Sequence, residues 1–517
     1  MRRDLGDFQT PPALVEAVLD VLGPVGDRWP RVLEPTCGRG HFLAGLLGRS
    51  TTPRELIGIE CQEGHAEEAR IVARGAGSSR VEVLRASLFD VDLRTDLRWK
   101  ESGPLLIVGN PPWVTNSELG LLGSENRPRR SNVDGLRGID ARTGASNFDI
   151  AEAIWRKLLV EVAKEPEGTT IALLCKVATA RRVLEFAART NLAVVSAELF
   201  PIAARVWFGA MVEACLLRVT LGGRSTVSRV PVRDDLNAGT LATEMGFARG
   251  LLVPDLTTYQ GFAFADGACR LTWRQGLKHD AAPVMELERA SADEPYRNKR
   301  GEPVDVEPDH IYPLLKGADL ARPPARPRRA VIVTQRRIGQ DTRSLERSVP
   351  RLWAYLQAHA ATFSLRKSSI YRGQPPFAIF GIGPYSFVPY KVAISGLHKS
   401  HRFRAVGPVE GRPVMLDDTG YFLPCSGLEQ AAFLTALLNE PASLGLMESL
   451  IFGHAKRPVT KALLQRIDLQ AVFDHADRPA LLARAEEECR RLDGRAPRWP
   501  VPLDVLLEPA PDATLVH

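Results

Sequence analysis

The chain has 517 residues, room for roughly two to four domains with substantial cores. Apolar residues at 44% and charged residues at 25% are ordinary for a soluble globular protein, and a net charge of +6 with a pI near 9.0 permits a polyanionic partner without proving one. Seven scattered cysteines (Cys37, Cys61, Cys175, Cys215, Cys269, Cys425, Cys489) argue for reduced thiols and against a zinc site; no apolar run nears membrane-spanning length, and Met1-Arg2-Arg3-Asp4 lacks a signal-peptide core. The first readable element follows Phe8-Gln9-Thr10-Pro11-Pro12. Thr10 before two prolines predicts an N-cap, and Leu14, Val15, Val18, Leu19 and Leu22 recur at helical spacing after it.

Arg31-Val32-Leu33-Glu34 reads as a strand that runs into Pro35-Thr36-Cys37-Gly38-Arg39-Gly40 and then a helix with Phe42, Leu43, Leu46 and Leu47 inward. Strand, glycine turn and helix make the entry of a nucleotide-type fold, and Gly38 and Gly40 would let the backbone approach a ligand closely. Leu43 stands where a dinucleotide fingerprint has its third glycine, so a ligand without a pyrophosphate is expected. A second strand, Leu56 to Glu60, ends in an acid that could hold both hydroxyls of a ribose. A third, Val81 to Leu84, is followed by Leu88-Phe89-Asp90, where Asp90 could accept from an adenine amino group with Leu88 or Phe89 against the ring.

Leu105 to Val108 is an apolar run that stops at Gly109 and enters Asn110-Pro111-Pro112-Trp113. It predicts a buried parallel strand ended by prolines, with the turn at the carboxyl edge, where open α/β sheets do their chemistry. The Asn110 side-chain carbonyl and the backbone carbonyl before the second proline can accept both hydrogens of one exocyclic amino group. Trp113 offers a ring face on which a planar base could stack, a role for the face rather than for the indole N–H.

Phe8 to Pro11, Val32 to Gly40, Gly58 to Glu60, Leu88 to Asp90 and Gly109 to Trp113 resemble, in order, the successive motifs of the γ-class amino DNA methyltransferases of the TaqI-like and Eco57I-like adenine-N6 type. Glu34 replaces the commoner Asp of the glycine motif. The resemblance implies an α/β, class I (Rossmann-like) S-adenosylmethionine-dependent methyltransferase domain over residues 1–240, followed by a mixed α+β DNA target-recognition domain over 241–517. It implies S-adenosylmethionine bound without metal. Thr10 and Pro11 would border its methionine part, with Glu34, Pro35, Gly38 and Gly40 around it. Glu60 would take the ribose, and Asp90 and Phe89 the adenine. Asn110, Pro111, Pro112 and Trp113 would be the catalytic turn. Double-stranded DNA would be the partner, the chain a monomer, and the setting a bacterial cytoplasm, with the protein on the nucleoid through its DNA.

Residues 116–146, rich in arginine and glycine, read as a mobile loop over the active face, and Ser146-Asn147-Phe148-Asp149 as the start of a helix. Thr170 to Cys175 is a further core strand, followed by a basic helix from Lys176 to Arg189. Val194 to Phe200 and Met211 to Thr220 complete the sheet. Glu198-Leu199-Phe200-Pro201 resembles the family segment whose aromatic stacks on the flipped base, so Phe200 is either that second ring or a core residue. Beyond about residue 240 the α/β rhythm fades into short runs, prolines and basic clusters such as Arg336-Arg337, Arg366-Lys367 and Lys399 to Arg404. The interleaved aromatics Tyr371, Phe377, Phe380, Tyr385, Phe387 and Tyr390 suit phosphate contacts with a few base readers. Phe380 to Lys391 and Phe452 to Pro458 resemble the target-recognition region of the Eco57I-like enzymes. Residues 475–492 read as a charged terminal helix.

Adenine N6 and cytosine N4 are chemically similar targets for such a turn. RNA or protein-glutamine methylation and a DNA-binding protein with a dead catalytic domain are the other classes. The large basic second half argues against the former, and the intact acids against the latter. Seven residues before Phe8 leave no room for a nuclease there, and no convincing Asp…Glu-x-Lys set follows, so a methyltransferase alone or beside a separately encoded restriction endonuclease is expected. Pro424-Cys425 resembles the nucleophilic Cys of the cytosine-C5 enzymes but lies outside the cofactor domain, so Cys425 is read as structural.

Overall fold

The computed structural model describes residues 9–114, 149–165, 167–223, 227–237, 240–291, 294–323, 326–398, 401–452, 457–494 and 503–508. The expected loop 116–146, Ser146 to Phe148 and residues 453–456 lie outside them. The chain divides into two compact units, Met1–Leu256 and Thr257–His517.

The first unit is built on ten strands: β1 Arg31–Glu34, β2 Glu55–Glu60, β3 Arg80–Arg85, β4 Leu105–Gly109, β5 Thr169–Lys176, β6 Val194–Ile202, β7 Ala214–Leu221, β8 Arg229–Arg233, β9 Leu241–Ala248 and β10 Leu251–Val253. Their spatial order is β10-β9-β8-β6-β7-β5-β4-β1-β2-β3. β3, β2, β1, β4 and β5 run parallel, and β7 is inserted antiparallel between β5 and β6. β1, β2 and β4 are buried at every position, as expected for parallel strands covered on both faces. One core joins Leu14, Val15, Val18 and Leu19 of the helix Pro12–Leu22, Phe42, Leu43 and Leu46 of the helix His41–Leu47, and the alternate strand residues Val32, Leu56, Leu106, Val108 and Leu174.

The structure corrects two sequence expectations here. The helix after the Thr10-Pro11-Pro12 run has Pro11 at its N-cap and no side-chain cap bond, so Thr10 is not the cap. The sheet is not complete at Thr220: β8 pairs with β6, β9 with β8 and β10 with β9, and the first unit runs to Leu256. Hairpin strands of modest hydropathy hide this extension, because β9 is half solvent-facing.

The second unit is mixed α+β. A four-stranded antiparallel sheet joins β11 Arg274–Gln275, β19 Gly420–Cys425, β16 Tyr390–Ser395 and β17 Arg404–Val406; a five-stranded sheet joins β13 Arg297–Asn298, β12 Glu286–Glu288, β15 Arg329–Ile332, β14 Ile311–Leu315 and β18 Met415–Leu416. The charged terminal helix spans Arg478–Asp493. Its Asp477 side chain accepts from the Ala480 N–H and Gly494 ends it in the left-handed region. Among the described residues no helix is long and apolar enough to cross a membrane.

Candidate active site

Parallel pairing brings the carboxyl ends of β1, β2, β3, β4 and β5 to one edge of the sheet, and the β6 exit joins them because β6 and β5 are both antiparallel to β7. β1 and β4 are direct neighbours, Leu33 opposite Ile107. The glycine turn and the Asn-Pro-Pro-Trp turn therefore leave adjacent strands. A Cβ placed on Gly109 would sit 3.5 Å from Glu34 Cγ and 3.7 Å from Pro35 Cδ, which brings the two predicted motifs into direct contact.

The N-terminal motif closes on the same turn. His41 Nδ1 lies 2.7 Å from the Thr10 carbonyl, and Gln9 Oε1 accepts from the Arg39 N–H at 3.4 Å. Gly38 and Gly40 have φ of +50° and +84°. A side chain at Gly38 would meet Gln9 Oε1 at 3.0 Å, and one at Gly40 would meet Ala69 Cα at 3.1 Å. The glycines thus let the turn approach its own chain, rather than a ligand alone.

The acids differ in their surroundings. Glu60 is tied to the backbone: Oε2 accepts from the Gly38 N–H at 2.9 Å and Oε1 from the Gln62 N–H at 2.7 Å. The carboxylate expected to face a ribose also locks the glycine turn onto the end of β2, with lone pairs remaining for further donors. Glu34 is 3% exposed, and its Oε2 has no hydrogen-bond partner among the described residues. Burial pushes its pKa well above the ordinary carboxylate value; the Leu43 N–H opposes this and the Glu60 charge reinforces it. A buried carboxyl with spare acceptor capacity suits a cationic donor such as an ammonium group. Asp90 is exposed and Phe89 half-buried, in a short turn capped by the Ser87 side chain, which accepts from the Phe89 N–H.

Asn110 is half-buried and Pro111 buried. Trp113 is 6% exposed, so its faces are not open in this state, and its indole N–H donates to the Leu174 carbonyl at 3.3 Å. The indole N–H therefore has a structural duty that the sequence reading had not assigned. Phe200 is also buried, with the Arg218 guanidinium 5.4 Å over its ring. Phe208 lies against Trp113, edge-on at 5.1 Å and 76°, and Phe200 belongs to the same buried cluster. Phe208 ends a single helical turn, Ala204–Phe208, between β6 and β7, with Val206 and Met211 exposed in the same connection. Sequence reasoning passed over Phe208; the available signal was an aromatic pair before Gly209 at a strand exit on the active edge. Lys176, read only as the first residue of a basic helix, donates from Nζ to the Trp113 carbonyl at 2.8 Å.

A doubly wound sheet with one antiparallel strand inserted beside β5, a glycine turn after β1 and an acid at the end of β2 define the class I, Rossmann-like S-adenosylmethionine-dependent methyltransferase fold, here joined to an α+β unit. Similarity to known proteins is narrower. No family model matches the chain. The chain is 32% identical over 471 residues to the type II methyltransferase M.NspV of a Nostoc species, covering 91% of this chain and 97% of that one. Over 114 residues it is 32% identical to the type II methyltransferase M.CvrRI of Paramecium bursaria Chlorella virus XZ-6E, covering 22% and 26% of the two chains. Its fold is similar to that of the type IIL restriction-modification enzyme MmeI in complex with DNA, with a TM-score of 0.54 and 14% identity over 94% of this chain and 73% of that one. The chain belongs to the type II methyltransferases.

Proposed function

We propose that the enzyme transfers a methyl group from S-adenosylmethionine to the N6 amino group of an adenine flipped out of duplex DNA. The observation that carries this reading is the packing of the Gly109 to Trp113 turn against Glu34 and Pro35, which joins a place for an amino group to a buried acid at the glycine turn. Glu34, with Gly38, Gly40, Thr10 and Pro11 around it, would hold the methionine end of the cofactor. Glu60 would hold the ribose, and Asp90 with Phe89 the adenine. The unpartnered Glu34 oxygen fits the cofactor's ammonium group. When bound, S-adenosylmethionine supplies an electrophilic sulfonium methyl.

The chain's own residues hold and orient the target. A base inside a duplex cannot reach this edge, so it must leave the stack. Asn110 Oδ1 and the Pro111 carbonyl accept the two hydrogens of its amino group, which turns the nitrogen lone pair toward the cofactor side. No covalent bond to the enzyme is needed; position and electrostatics carry the step. Trp113 and an aromatic of the β6–β7 connection flank the ring, and Phe208 is already against Trp113. In this reading the second unit selects the sequence through its basic and aromatic surface.

Methylation-aware sequencing of DNA from cells expressing the protein tests the reading. A single motif carrying N6-methyladenine is expected. N4-methylcytosine in its place would move the assignment to cytosine, and unmodified DNA with methylated RNA or protein would end it.

A further inference from the structure

We infer that Lys176 and Asp149 form a neutral ion-pair clamp that positions the catalytic turn, an inference that rests on the proposed role of Asn110. Lys176 is the last residue of β5. Its Nζ lies 3.0 Å from Asp149 Oδ2 and donates to the Trp113 carbonyl at 2.8 Å. Asp149 is a buried hub. Its Oδ1 accepts from the Ala151 N–H at 3.2 Å and caps the helix Ile150–Val162, while Oδ2 accepts from the Thr179 hydroxyl at 3.3 Å. The next carbonyl of the turn, Val114, accepts from the Ile150 N–H at 2.9 Å. Two successive carbonyls after Asn110-Pro111-Pro112 are thus held by one cation and one helix N-terminus, and both anchors meet at Asp149.

The charge balance has a chemical reason. Positive charge would gather on the target nitrogen as its lone pair bonds to the methyl carbon while the methyl–sulfur bond of the bound cofactor breaks, its electron pair staying on sulfur, and the nitrogen would then shed a proton to water. A bare ammonium near the turn would oppose this build-up, and a carboxylate beside the ammonium cancels it. The clamp therefore supplies rigidity without a net field. An apolar residue at 176 could not grip the carbonyl, and a lone lysine would grip it at an electrostatic cost. Lys176 and Asp149 are positioning residues, since they act through the turn and not on the reacting atoms.

The test uses the full-length enzyme and compares Lys176→Met, Lys176→Arg, Asp149→Asn and the double variant Asp149→Asn/Lys176→Met, with Asn110→Ala as reference. Asparagine keeps a good N-cap at 149, so the helix start survives. Lys176→Met is expected to lower kcat about tenfold to a hundredfold by loosening the turn, with KM for S-adenosylmethionine unchanged. Lys176→Arg recovers part of the loss. Asp149→Asn lowers kcat further than Lys176→Met, because it leaves the ammonium uncompensated. Adding Lys176→Met to Asp149→Asn then raises kcat again, a sign reversal that loss of packing alone would not produce. Melting temperature and cofactor affinity, measured on all variants, separate folding from positioning. Wild-type kcat in Lys176→Met beside an inactive Asn110→Ala would overturn the clamp alone, as would a double variant no faster than Asp149→Asn. Full activity in Asn110→Ala would overturn the underlying reading and the clamp with it.

Discussion

Up to Leu256 the side chains of interest stand at the ends of long buried strands; β5, β6 and β7 have eight or nine residues, and β1, β2 and β4 are buried throughout. From Thr257 onward the described strands have two to six residues, in two small sheets. That second unit places charged groups inside its cores. Glu286 sits between Lys299 at 2.6 Å and Lys316 at 2.7 Å; burial pushes its pKa up, but the hydrogen bonds from the two lysines outweigh this and hold it below the ordinary value. Asp266 takes the Tyr259 hydroxyl and the Arg466 guanidinium. The fully buried Lys391 donates to the Val388 carbonyl at 2.7 Å. In the first unit, too, charged groups are buried, but on β1 and β2 they stand at the strand ends, Arg31 and Glu34 on the one and Glu55 and Glu60 on the other, with uncharged residues between them. Short strands bury less apolar surface, and their arrangement is specified by polar pairs.

If that contrast holds, the largest effect belongs to the edge of the first unit. Asn110→Ala should cut methyl transfer on the order of 10²–10³-fold, by analogy with loss of one preorganised polar group, while cofactor affinity by calorimetry and melting temperature stay near wild type. A parallel loss of stability would show that the turn is structural and would erase the contrast.

Lys391 probes the other side. Burial presses its pKa from the ordinary 10.5 down to about 7, with the nearby Cys425 opposing. Below about pH 7 both folded and unfolded chains carry the proton, so the folded state bears the full cost of a buried cation. Between about 7 and 10.5 the folded state releases the proton first, and stability rises with pH. Lys391→Met should therefore stabilise the second unit on the order of 1–4 kcal/mol at pH 6, less whatever the Val388 carbonyl loses, and the gain should vanish toward pH 10.5. Calorimetric unfolding across that range measures it; a pH-independent difference would remove Lys391 from the account. The neighbouring Cys425 thiol is pushed up to about 12 by burial, which favours the thiol over the thiolate at neutral pH.

Trp113→Phe returns to the edge with a smaller effect. It keeps an aromatic face but leaves the Leu174 carbonyl without its indole donor, at a cost of about 1–3 kcal/mol. The activity is expected to fall between those of wild type and Trp113→Ala, with a lower melting temperature. Full recovery would show that the face alone matters.

The smallest change is at the exposed Arg337 of the second unit. Arg337→Ala should leave cofactor binding untouched and reduce the slope of log affinity for DNA against log salt by about 1 if it meets one phosphate. An unchanged slope would take this loop out of the DNA-facing surface.

Much of the first unit was legible in the sequence because its signals are local. An apolar run is a strand, a Gly-x-Gly after it is a tight turn, and Asn-Pro-Pro ends the next strand wherever that strand lies. The order of those motifs along the chain was enough to suggest the class. Tertiary structure alone decided that β4 lies beside β1, so that Gly109 meets Glu34, and that Glu60 is tied to the Gly38 N–H. It also decided that Phe208 lies against Trp113, that the sheet runs on to Val253, and that Lys176 reaches back 63 residues to the Trp113 carbonyl. Such partners are chosen by strand order and register. Periodicity in a single stretch carries no record of which distant stretch will lie beside it, and for that reason the site's anchors had to be read from the fold.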